Sequence, residues 1–123
     1  MTKEIIFDSS FLMAVAERPT AWKTDITDAV GGFEPILLQP VRAELQRLAS
    51  GGGKRASAAR VALEMAGGFK AGESGDGRPD DEIVSAALQA GAAVATTDAA
   101  LASTLRRLHV QVITLRSGRA VVL

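Results

Sequence analysis

The chain contains no cysteine and a single histidine, His109. The first absence excludes disulfides, thiolate metal sites and thiol catalysis. The second excludes a multi-histidine centre within one chain. Aromatic residues make up only 4% of a composition that is 47% hydrophobic, so the core must be built mainly of Ala, Val, Leu and Ile. No stacking platform for bases is evident, and Trp22 reads as core. No apolar run reaches the ~20 residues of a membrane span. The start, MTKEIIFD, puts an acid ahead of its apolar stretch and lacks a small-residue cleavage pattern, unlike a secretory signal. These absences predict a cytoplasmic protein with no membrane partner. The G-x-x-x-x-G-K-S/T pattern of a phosphate loop is missing. The glycines at 31–32, 51–53 and 67–68 lack the strand-glycine-helix setting of a dinucleotide site. A receiver domain would need an acidic pair near the end of its first strand and a late lysine, but Glu4 is too far back and no lysine follows Lys70. Ser9 and His109 find no third member for a triad.

What is present is a chain of 123 residues, enough for one domain spanning 1–123 with a real core. Fourteen basic residues balance 14 acidic ones. Bulk charge alone would therefore not hold the protein on nucleic acid. The distribution is uneven, however. Arg42, Arg47, Lys54, Arg55 and Arg60 stand against Glu44 alone between Pro40 and Arg60. After Asp98 come Arg106, Arg107, Arg116 and Arg119 with no acid, while acids gather between Glu73 and Asp98. Basic flanks around an acidic centre suit a phosphodiester substrate, though solvated helices carry such charges too.

The order of elements predicts an α/β fold. Residues 4–8 read as a strand, and Ser9 or Ser10 can cap a helix that runs to Glu17. A short helix over 22–30 closes at Gly31 and Gly32, and a second strand covers 33–39. Pro40 opens a helix in which Val41, Leu45 and Leu48 recur at helical spacing. The next helix, 54–66, turns Ala58, Val61, Ala62 and Met65 inward. Residues 67–79 form a loop with a brief strand near Phe69. Asp80 caps a helix with Ile83, Val84, Ala87 and Leu88 inside, and Gly91 closes it. A strand at 92–97 leads to Asp98, which caps a helix carrying Leu101, Leu105 and Leu108. Strands at 110–115 and 119–123 complete the chain, the last at an edge. Alternating strands and helices predict a three-layer α/β/α domain around a mainly parallel sheet. Sites in such sheets form beyond the C-terminal ends of the strands.

Asp8 and Asp98 both fall there. Each also suits a helix N-cap, but two carboxylates on neighbouring strands repel unless a cation offsets them. Asp80 or Asp81 is placed to face Asp98, and with Glu82 both also suit the positive end of a helix. Glu44 lies three residues after Val41 and four before Leu48, along the edge of a buried stripe, where an unpaired acid is costly. Mg²⁺ and Mn²⁺ prefer such hard oxygen ligands. A divalent cation activates water and neutralises charge on a phosphate. The prediction is a small metal-dependent nuclease with Asp8, Glu44, Asp80 and Asp98 as its catalytic and metal-binding residues. Asp8 and Asp98 are the direct ligands, Asp80 completes the shell, and Glu44 acts through water or a second ion. Ser9, Thr97, Arg47 and Arg106 are the predicted substrate contacts.

These residues resemble a known family, the PIN domains, which are metal-dependent ribonucleases found as toxins of toxin–antitoxin pairs and in RNA processing. IIFDSS is similar to the family's first strand, aspartate and small hydroxylic residue. Glu44 in PVRAELQRL matches its helix-borne acid, and DDEIVSAALQAGAAVATTDAALASTLRR resembles its late core. In that register Asp80 is the third acid, Asp81 an unusual neighbour, and Thr97 the residue before the last aspartate. The resemblance implies endoribonucleolytic cleavage of RNA with Mg²⁺ or Mn²⁺. As partners it implies a second copy in a homodimer and an antitoxin or RNA-processing protein. The compact TTDAALASTLRRLHVQVITL ending looks more like the archaeal and ribosomal-RNA-processing branch than the commonest toxins. The alternative is a PIN-like module that binds RNA or a partner without turnover.

Overall fold

The computed structural model describes residues 2–123; Met1, first residue of the predicted domain, lies outside them. Six strands form one sheet: β1 (Lys3–Phe7), β2 (Phe33–Leu38), β3 (Lys70–Gly72), β4 (Ala93–Ala95), β5 (Val112–Arg116) and β6 (Arg119–Val122). Their order is β3-β2-β1-β4-β5-β6. Every pairing is parallel except the last, β5 with β6. Six α-helices connect and flank them: α1 (Ser9–Glu17), α2 (Trp22–Val30), α3 (Gln39–Ala49), α4 (Gly53–Met65), α5 (Pro79–Ala90) and α6 (Ala99–Arg107). This is the predicted three-layer α/β/α fold.

Both faces of the sheet are covered. Successive strand residues point to opposite faces, yet Ile5, Ile6 and Phe7 are all 1% exposed or less, as are Ala93, Val94 and Ala95. Phe7 is the hub of the aromatic set. Its ring centroid lies 5.5 Å from Phe11, 5.3 Å from Trp22, 6.4 Å from Phe33 and 5.1 Å from Phe69. All five aromatic residues of the chain are thereby committed to one cluster, with Trp22 in the core as expected.

The helix ends explain where the site sits. Gly91 ends α5 in the left-handed conformation, φ 64°, so the chain turns straight into β4. Ser117 and Gly118, both at positive φ, make the two-residue turn that folds β6 back on β5. No helix among the described residues is long and apolar enough to cross a membrane.

Several expected positions differ. Arg78, not Asp80, is the N-cap of α5, because Pro79 has no N–H to lose and fits the first turn. Neither Ser9 nor Ser10 caps α1; the N-cap is Asp8, and its side chain makes no cap bond. Val61, Leu88 and Leu108, predicted inside, are 43%, 52% and 43% exposed. The buried face of α4 is instead the run Ala58, Ala59, Ala62 and, just past its end, Ala66. Val61 stands about 100° around the helix from Ala62, as does Leu88 from the buried Ala87. Leu108 is the residue at which the chain leaves α6.

Candidate active site

Asp8 is the first residue beyond β1 and remains tied to the sheet, its N–H donating to the Ala95 carbonyl at 2.9 Å. It is buried, 4% exposed. Its Oδ2 accepts the Ser10 hydroxyl at 2.6 Å and the Thr96 hydroxyl at 2.7 Å. Each hydroxyl has one proton, donated here to Asp8, and a lone pair left to accept. The Thr97 N–H donates to Ser10 Oγ at 3.0 Å, and the Asp98 N–H donates to Thr96 Oγ1 at 3.0 Å. One network thus joins the ends of β1 and β4, from Asp8 to Asp98. Burial pushes the Asp8 carboxyl above its ordinary value. The two hydroxyls pull it partly back, and the charge of Glu44 pushes it up again.

Asp98 is half-buried and caps α6, as its position predicts. Its Oδ1 accepts the Ala100 N–H at 2.9 Å and the Leu101 N–H at 3.1 Å. Both bonds fall on Oδ1, so Oδ2 stands outside the cap. Glu44, half-buried on α3, accepts the Ser9 hydroxyl through Oε1. Ser9 therefore anchors an acid rather than a helix end. Asp80 is exposed in the first turn of α5. Its carboxyl is raised first by desolvation, then by the charges of Asp8, Asp98 and Glu44, against the opposing effect of Arg78. All three of the other predicted acids act on Asp80, which sits beyond the C-terminal edge of the sheet with them. Glu82, two residues on, faces elsewhere: its carboxylate accepts the Gly75 and Gly77 N–H groups at 2.6 and 3.2 Å.

Hard carboxylate oxygens that repel one another fit a divalent cation in donor chemistry. As they stand, no three acidic or imidazole side chains among the described residues are drawn close enough to hold one ion. Asp8, Glu44 and Asp98 each instead take a donor from the protein.

The predicted substrate contacts separate. Thr97 is exposed and lines a cleft with Asp98 and Arg106. Arg47 is exposed in the last turn of α3 and does not line that cleft. Sequence reasoning missed Ser10, Thr96 and Arg78. Thr96 was the more concealed, because in the pair Thr96–Thr97 only the pleat tells which hydroxyl turns inward. The signal available for Ser10 was its spacing of two from Asp8, the reach of a local hydroxyl–carboxylate bond.

The fold has relatives among solved structures. The PIN domain endonuclease Utp24 superposes with a TM-score of 0.76 at 22% identity, covering 97% of this chain and 90% of that one. A domain of a functionally unknown protein from Methanocaldococcus jannaschii DSM 2661 gives 0.66 at 16% identity, covering 94% and 93%. PAE2754 from Pyrobaculum aerophilum gives 0.54 at 19% identity, covering 87% and 90%. At these identities the likeness is one of fold. No curated protein matches the sequence. The PIN like domain family matches residues 5–118, nearly the whole chain, and the chain belongs to that family.

Proposed function

We propose that the protein is a Mg²⁺- or Mn²⁺-dependent endoribonuclease whose site is formed by Asp8, Glu44, Asp80 and Asp98. The observation that supports the reading is the placement of Asp8 and Asp98 just beyond the ends of the paired parallel strands β1 and β4, joined there by one hydroxyl network, with the carboxyl of Asp80 raised by desolvation and by the charges of the other three acids. Family membership and the likeness of fold to a PIN domain endonuclease favour nuclease chemistry. Asp8 and Asp98 are the proposed direct ligands, with Asp98 Oδ2 outside the helix cap. Asp80 completes the shell. Glu44, oriented by Ser9, acts from the rim. A bound divalent ion would supply an activated water and neutralise charge on the scissile phosphate. The chain's own part is to hold the four carboxylates on one rigid edge. Ser10 and Thr96 fix Asp8 in place, and Arg78 tempers the negative potential at Asp80.

The test is cleavage of a long mixed-sequence RNA by purified protein with Mn²⁺, with EDTA as the stop. A Glu44→Gln, Asp98→Asn double variant must lose the activity; undiminished cleavage would assign it to a contaminant. A second reading, a PIN-like module that binds RNA or a partner without turnover, draws on the absence of a preassembled three-acid group among the described residues. It prevails if wild type cuts no RNA with either metal yet binds tightly.

A further inference from the structure

Between α6 and β5 lies a cleft of about 540 Å³ lined by Thr97, Asp98, Arg106, Arg107, Thr114 and Arg116, among others. It begins at the acidic edge, since Asp98 is part of its wall. β4 and β5 are parallel, so Arg116, the last residue of β5, lies at the edge of the sheet where Asp98 follows β4. Arg106 stands eight residues after Asp98, about 12 Å along α6. The cleft therefore runs from the carboxylates along one helix, with arginines on both of its walls.

These cations lack acidic partners. The ion pairs within 4.0 Å among the described residues are Lys70–Glu4 and Arg119–Asp25, and neither involves the cleft. Arg107 makes one side-chain bond, Nη2 to Thr104 Oγ1 at 3.4 Å. No Asp or Glu follows Asp98 in the chain. Arg106 and Arg107 suit the negative end of a helix, but Arg116, on a strand, has no such reason to be there. Three unpaired guanidiniums on facing walls focus a positive potential. Guanidinium groups bind phosphate through paired N–H donors. The aromatic residues are committed to the Phe7 cluster, so the surface offers phosphate contacts rather than base stacking.

We infer that this cleft holds the phosphate backbone of RNA, with Arg106, Arg107 and Arg116 as its contacts, and leads that backbone to the carboxylate edge at Asp98. The direction of the strand rests on the nuclease reading; the binding surface does not. The recognition is of backbone and carries no base preference.

The test is binding of a labelled, unstructured RNA in EDTA, read by fluorescence anisotropy at two salt concentrations, so that turnover plays no part. An Arg106→Gln, Arg107→Gln, Arg116→Gln variant should bind roughly 10- to 100-fold more weakly near 0.1 M salt. Its slope of log K against log salt should be shallower by about 2, from ~0.7 per lost contact. The three Arg→Lys changes should restore most of the slope. A Lys54→Gln, Arg55→Gln variant, altered at the separate cavity between α1 and α4, should lose little. Wild-type affinity and slope in the triple variant would overturn the inference, as would an equal loss in the Lys54, Arg55 variant. Arginine-dependent binding of polyglutamate as tight as that of RNA would overturn it too, in favour of an acidic protein partner. Lost cleavage with intact arginine-dependent binding would remove the nuclease reading alone. Intact cleavage with arginine-independent binding would remove this one alone.

Discussion

Asp80 and Glu82 stand two residues apart in the first turn of α5, yet they belong to different regions with opposite electrostatics. Glu82 faces the loop before the helix and takes two backbone N–H groups there. Asp25 likewise joins α2 to β6, accepting the Ala120 N–H at 3.0 Å with Arg119 3.8 Å away. In both places a negative charge meets donors, and the result is a tie between elements. Asp80 instead faces Asp8, Asp98 and Glu44, and desolvation together with their charges holds its proton more tightly. An acid that closes a backbone junction is explained once its donors are found. Acids gathered against one another are relieved by a bound proton or a cation, and that contrast separates scaffold from proposed site on a chain with no net charge.

The contrast should appear most strongly in activity. Asp8→Asn and Asp98→Asn should each lower Mn²⁺-supported RNA cleavage by at least about 100-fold, more than the 10- to 100-fold typical of groups that merely support a metal ligand. Asparagine caps a helix as well as aspartate does, so the thermal midpoint of Asp98→Asn should stay near wild type and isolate the chemistry. Glu82→Gln should retain near wild-type cleavage. An equal loss there would break the contrast.

Mn²⁺ itself should distinguish the regions next. A ligand of the folded state adds about 2.7 kcal/mol at a hundredfold excess over Kd. The thermal midpoint of the wild type and of Glu82→Gln should rise with Mn²⁺, and that of Asp98→Asn should barely move. Calorimetric titration should give the same ranking.

Scaffold acids should answer in stability alone. Glu82→Ala removes the acceptor of two loop N–H groups and should cost about 1 kcal/mol in denaturant unfolding, since both bonds are exposed to water. Gly77→Ala attacks the same junction from the other side, because a Cβ there would lie 2.5 Å from Glu82 Oε2. Its effect should not add fully to that of Glu82→Ala, as the two share one contact.

The smallest effect sharpens the contrast through its sign. A carboxyl whose folded-state pKa is raised binds its proton more tightly in the folded chain. Its contribution to stability is fully present below the unfolded value, near 3.8, and is lost as pH rises through the raised folded value. Without added metal, Asp80→Asn should therefore raise the thermal midpoint at neutral pH and flatten its dependence between neutrality and pH 4. The gain is small because solvent screens an exposed charge. A fall in the midpoint at neutral pH would show that Asp80 is held by a donor, like Glu82.

Much of this was legible in the residues. Continuous apolar runs at IIF and AAVA named the central strands, because a strand covered on both faces needs no polar alternation. Asp8 and Asp98 could be placed at one edge of the sheet from the order of elements alone, since parallel strands end together. Asp98 as a cap followed from its place before an amphipathic helix. Helix faces were less legible where alanine was abundant. Val61 was expected inside together with Ala58 and Ala62, whereas the close approach of α4 to α1 and α3 buries Ala58, Ala59 and Ala62 and leaves Val61 outside. Thr96, which holds Asp8, went unnamed beside Thr97 for a related reason: adjacent hydroxyls read alike until the pleat sends one into the core. The family resemblance named four acids but said nothing of their partners.

The sequence by itself determined the α/β order, the parallel sheet and the placement of Asp8 and Asp98 beyond its strand ends, because periodicity, caps and strand ends are local properties of the chain. Only the tertiary structure decided which hydroxyls hold Asp8, that Asp80 faces the other acids while Glu82 turns to the loop, and that Arg106, Arg107 and Arg116 share one cleft. Those are matters of direction and through-space distance. They are set when residues as far apart as Asp8 and Thr96 are brought together by packing.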